Sequence, residues 1–108
     1  MVNPDLAFVA SGRLDPDRDR TKAVGLSPTL AVEVVSPNDR DRDVGAKVLE
    51  YLAAGSARVW VVRPESRTVT VYRADGSANI RYEQDLLTSD DAGFSVEGFQ
   101  LLVAGVFA

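Results

Sequence analysis

Asp5, Glu33 and Lys47 have the side-chain types that a metal-assisted phosphodiesterase needs. Glu33 lies inside "LAVEVVSP", a run that otherwise reads as a β-strand apolar on both faces. An ionised carboxylate there costs several kcal/mol unless a partner compensates it. A hard cation is one such partner, and it prefers several oxygens, so a second carboxylate is needed. Asp5 is the natural candidate, at the head of the apolar run "DLAFVA" and preceded by Pro4. Pairing of the two strands would bring Asp5 and Glu33 to one end of a sheet. On the helix expected after Glu33, Lys47 lies roughly 40° from Tyr51 and roughly 60° from Val44, at the edge of the buried stripe. Its ammonium can then reach towards Glu33. In such a set the carboxylates hold Mg²⁺, which polarises a phosphate and acidifies a water. The lysine orients that water or stabilises the developing charge. The same residues also fit a plainer arrangement, a buried Glu33–Lys47 ion pair with Asp5 as a frayed terminal residue.

The elements that must position these residues follow from the pattern. Strands are expected over "DLAFVA", Leu30 to Val35, "RVWVV" and "TVTVY". The polar stretch from Ser11 to about Ser27 reads as a loop. Asn38 or Asp39 is expected to cap a helix running to about Ala54, stopped at Gly55. Val44, Val48, Leu49, Tyr51 and Leu52 form its expected apolar face. "ADGS" signals a hairpin leading to a weaker strand around Asn79 to Glu83. From Gln84 the chain reads mostly as loop, ending in "FQLLVAGVF", an apolar segment expected to dock on the core. The order β, loop, β, α, β, β, β implies a parallel crossover followed by an antiparallel meander.

Composition removes several function classes. At 108 residues the chain is expected to form one domain, residues 1–108. It has no cysteine and no histidine, which excludes thiolate and imidazole metal sites and Ser-His-Asp catalysis within it. No apolar run approaches a membrane span, and no signal-peptide pattern is visible, so a cytoplasmic setting is expected. The net charge of −4 and pI near 4.7 disfavour a general nucleic-acid binder, an objection that bound cations weaken. Asp39, Asp41, Asp43 and Glu50 fall at calcium-loop spacings, but Val44 occupies the position that needs glycine. Arg40 and Arg42 can approach a phosphate backbone, although beside Asp39, Asp41 and Asp43 they read better as self-neutralised turn charges. Tyr51 reads as a core tyrosine with its hydroxyl at the rim.

"NPDLAFVASGRL", "LAVEVVSPNDRDRDVGAKVLEYLAAGSARVWVVRPESRTVTVYRADG" and "VEGFQLLVAGVF" resemble the bacterial Uma-two family, restriction-type endonucleases of the PD-(D/E)XK superfamily. The resemblance implies a restriction-endonuclease-like α/β/α sandwich with a mixed β-sheet. It further implies DNA phosphodiester hydrolysis with Mg²⁺ (or Mn²⁺), metal ligands Asp5 and Glu33, and catalytic residues Asp5, Glu33 and Lys47. The residue two after Glu33 is Val35 where the superfamily has lysine; in this family the following helix supplies it, at Lys47. Family members usually carry a helix and a strand upstream of the "PD" strand, so an N-terminally truncated sandwich is expected, the C-terminal part of the family domain. The strand headed by Asp5 is then an open edge, and a homodimer or higher homo-oligomer through it is expected. A non-catalytic dimerising interaction module, or an inactive remnant, is the alternative. Thr29 and Arg63 stand where the family more often has aspartates and read as tolerated surface changes.

Overall fold

The computed structural model describes residues 6–8, 29–93 and 99–107. Five strands form one mixed sheet in chain order: β1 (Leu6–Phe8), β2 (Leu30–Val34), β3 (Arg58–Arg63), β4 (Thr68–Arg73) and β5 (Ala78–Arg81). β1 runs antiparallel to β2, with Leu6 opposite Val32 and Phe8 opposite Leu30. β2 and β3 are parallel, joined through helix α1 (Asp41–Ala53). β4 and β5 complete an antiparallel meander. At β4–β5 the expected hairpin closes with the Gly76 amide donating to the Arg73 carbonyl and the Asp75 carboxylate accepting from the Ser77 amide.

Period-two alternation sorts the strands into two cores. Ala31, Val59 and Val61 face α1 and pack with Val44, Val48 and Tyr51. Leu30, Val32, Trp60, Val62, Val69 and Val71 point the other way, under the C-terminal segment. β3 is therefore buried on both faces, which accounts for its unbroken apolar run. That second layer is more regular than the expected loop. It comprises β6 (Leu86–Thr88), the short helix α2 (Ser89–Ala92), β7 (Gln100–Leu102) and the turn α3 (Val103–Val106), with β6 and β7 paired antiparallel. Leu87, Ala92 and Val103 are fully buried, so the segment does dock on the core.

Three local expectations need correction. The N-cap of α1 is Arg40, with no side-chain cap; the Asp39 carboxylate instead accepts the Ser36 amide at 2.8 Å and closes the preceding turn. Leu49 projects from the helix at 69% exposure instead of joining the apolar face. Thr29 is buried, with its carbonyl accepting the Ala57 and Arg58 amides, so it is no surface position. Asp41, Asp43 and Glu50 all lie within α1, which leaves them no calcium loop.

Two glycines are required by their backbone. Gly55 adopts φ 109° beyond α1, its amide donates to the Leu52 carbonyl, and the Ser56 amide donates to that of Tyr51. This Schellman closure fixes the last turn of α1, and with it the backbone of Tyr51. Gly93 ends α2 at φ 81°, and a Cβ there would meet Arg58 Cγ at 2.8 Å.

Candidate active site

β2 and α1 together build the site around Glu33. As the fourth residue of β2, Glu33 points to the α1 side, and only 6% of it is exposed. Lys47 and Tyr51 are four residues apart on α1 and so project from one side of the helix. Tyr51 Oη donates to Glu33 Oε1 at 2.6 Å, a short charge-assisted hydrogen bond in a buried setting. Lys47 Nζ stands 3.9 Å from Glu33 Oε2, beyond hydrogen-bond length. The lysine side chain is 43% exposed while that of Glu33 is 8% exposed. A charge so placed is screened by water and contributes at most about 1 kcal/mol. The ammonium thus compensates the buried carboxylate only in part.

The donor set bears on the metal that the sequence implies. Glu33 supplies a hard oxygen at Oε2, and Lys47 supplies a fixed positive charge beside it. One carboxylate is too few for a hard cation, and among the described residues no cluster of three metal-binding side chains occurs. Asp5, the second ligand expected from the sequence, lies outside the described residues. Its chain neighbour Leu6 is paired with Val32, the residue before Glu33. Among the described residues the site supplies one carboxylate, Glu33.

An open groove of about 960 Å³ adjoins this end of the sheet, where the parallel strands β2 and β3 reach their carboxyl ends. Val35, Pro37, Asp41, Arg63 and Glu65 are among its lining residues. Ligands of α/β sheets commonly bind at such strand ends. Within the groove Arg63 reaches Asp41 at 3.3 Å. Arg42 stands 3.9 Å from Asp43, in keeping with self-neutralised turn charges. The backbone hydrogen bond from Ser36 holds the Asp39 carboxyl below its ordinary range.

The sequence pointed to Glu33 and Lys47, and the structure brings them together. Tyr51 lies in the core as its pattern predicts, but its hydroxyl is buried against Glu33 and does not lie at the rim. The four-residue spacing from Lys47 was the available signal.

The chain matches the family model Uma2, described as "Putative restriction endonuclease", over residues 2–104. It is similar to the solved structure of "a putative nuclease belonging to DUF820" from Anabaena variabilis ATCC 29413, with a TM-score of 0.64 and 23% sequence identity. That likeness covers 76% of this chain and 45% of the other, so this chain spans less than half of that relative's length. At this identity the match establishes the mixed α/β fold. No curated protein matches the chain. With nearly its whole length accounted for by one family model, the chain belongs to the Uma2 family.

Proposed function

We propose that the chain is a nuclease-like domain spanning residues 1–108 that hydrolyses DNA phosphodiester bonds with Mg²⁺ or Mn²⁺. One observation carries the proposal: a buried carboxylate, Glu33, whose two described side-chain partners leave its Oε2 without a hydrogen bond. Family membership supplies the reaction class.

In this reading Asp5 and Glu33 would hold the cation, which when bound would supply Lewis acidity towards the phosphate and acidify a water. The chain's own residues do the rest. Tyr51 holds Glu33 in place through Oε1. Lys47, fixed on α1 and half-exposed, presents its ammonium beside Oε2, where it can donate to a phosphate oxygen or orient the attacking water. The groove at the ends of β2 and β3 begins one residue beyond Glu33, at Val34, and does not include Glu33, Lys47 or Tyr51 in its lining. A bacterial cytoplasm is the setting that this reading takes.

The test is cleavage of supercoiled plasmid with Mg²⁺ or Mn²⁺. Wild-type protein should nick or linearise it. Glu33→Gln should abolish cleavage, and Lys47→Ala should slow it by about 100-fold. Cleavage by Glu33→Gln at the wild-type rate would contradict the proposal. A second reading, the non-catalytic dimerising module, draws on the position of β1 at one edge of the described sheet. A folded, inactive homodimer would favour it.

A further inference from the structure

Resting on the reading of the chain as a DNA-cleaving domain, we infer that Arg63 is a contact for the DNA phosphate backbone, and that Asp41 competes with the phosphate for it. Arg63 is the last residue of β3. Glu33 is in register with Val61, and Arg63 lies two residues beyond, so alternation places it on the same face of the sheet as Glu33. It reaches Asp41, the first residue of α1, across that face. Among the described residues that line the groove at the strand ends, Arg63 is the one basic side chain.

Other arginines are committed elsewhere. Arg58 donates to the carbonyls of Asp90 and Ala57, Arg73 and Arg81 reach Asp90 and Asp91, and Arg67 pairs with Glu83 at 2.9 Å. Arg63 makes one ion pair among the described residues, from Nη1 to Asp41 Oδ1 at 3.3 Å. A guanidinium is a planar fork of several donors that matches a phosphate, so most of this one's donors are left for another acceptor. The Asp41 side chain is 89% exposed, and an ion pair so open to water is held weakly. A phosphate oxygen can therefore take the carboxylate's place. Asp41 and Glu65 share the same lining and repel a polyanion. Arg63 is thus what draws a DNA backbone into the groove, and removal of the Asp41 charge should strengthen that attraction.

Fluorescence anisotropy of a short labelled DNA duplex, titrated with protein in EDTA at several KCl concentrations, tests this. In Arg63→Gln affinity should drop about 10-fold, and the slope of log affinity against log salt should become shallower by about 1, the share of one phosphate contact. Arg63→Lys should bind more weakly than wild type but keep the slope, since the charge stays and the fork is lost. Asp41→Asn should bind about 3-fold more tightly. Asp75→Asn makes the same charge change in the β4–β5 turn, beyond the opposite end of β3, and should have a smaller effect. In the Arg63→Gln background the advantage of Asp41→Asn over Asp75→Asn should vanish. Wild-type affinity and slope in Arg63→Gln overturn the inference, while leaving DNA as the substrate. Equal effects of Asp41→Asn and Asp75→Asn overturn the competition at Asp41. No binding by folded wild type, in EDTA or in Mg²⁺, overturns the DNA reading and this inference with it.

Discussion

Two carboxylates are buried on opposite sides of the same sheet, and they are treated differently. Asp91, 1% exposed, is surrounded by donors. It accepts the Thr88 amide at 2.9 Å and the Thr88 hydroxyl at 3.3 Å, closing a capping box on α2. Arg81 reaches it at 3.0 Å and Arg73 at 3.7 Å. Its carbonyl accepts the Trp60 indole N–H at 2.7 Å, which ties α2 to the central strand. Glu33, 6% exposed, has the Tyr51 phenol and a distant, half-exposed lysine. A buried charge with full hydrogen bonding is a structural fastener. One left short of partners needs another cation or another purpose. That difference separates the architectural acid from the candidate catalytic one, although the Asp91 network is itself imperfect: Arg81 Nε has no partner in the described structure.

The comparison can be broken most easily at Asp91. Replacement by alanine strands Arg81 beside a lost charge and removes the α2 cap, and should cost roughly 3–5 kcal/mol. Urea denaturation measures this, and a loss below about 1 kcal/mol would deny Asp91 its fastening role. Trp60→Phe leaves the Asp91 carbonyl without the indole donor, and about 1–3 kcal/mol should be lost in the same assay.

Acid sharpens the contrast further. Burial pushes the Asp91 carboxyl up, but the Thr88 amide and Arg81 outweigh it and hold the group below its ordinary value of 3.8. Because the folded pKa lies under the unfolded one, the stabilisation is complete above that ordinary value. It is lost as pH falls through the lowered folded value. Asp39 and Asp75 shift in the same direction from exposed positions. Asp91→Asn should therefore flatten, without abolishing, the acid limb of stability against pH.

The smallest effect belongs to Glu33. In Glu33→Gln the side-chain amide oxygen still accepts the Tyr51 hydroxyl, and only a weak ion pair is lost. Stability should change by less than about 1 kcal/mol. A loss as large as that of Asp91→Ala would erase the distinction between the two acids and leave Glu33 a structural residue.

Much of the sheet was legible because its signals are local. Alternation in "TVTVY", the apolar run "RVWVV" and the turn at "ADGS" each act within a few residues, and β3 to β5 follow them closely. Glu33 was legible because a lone carboxylate in an apolar strand contradicts its surroundings. Lys47 followed from helical spacing. The C-terminal layer was not legible, because its regularity depends on partners distant in the chain. Asp91 needs Arg81, Arg73 and Trp60, none of which is its sequence neighbour. "TSDD" did carry a local hint, a capping box with aspartate where glutamate is usual. Leu49 misled because its apolar type fits the helix stripe, while its angle carries it past the sheet to solvent.

Isothermal titration of Mn²⁺ into the wild-type chain and into Glu33→Gln bears most directly on the central claim, since cation binding precedes any cleavage. The account predicts saturable binding by wild type that disappears in Glu33→Gln, with both proteins equally folded. No binding by the folded wild type, or equal binding by both, would contradict it.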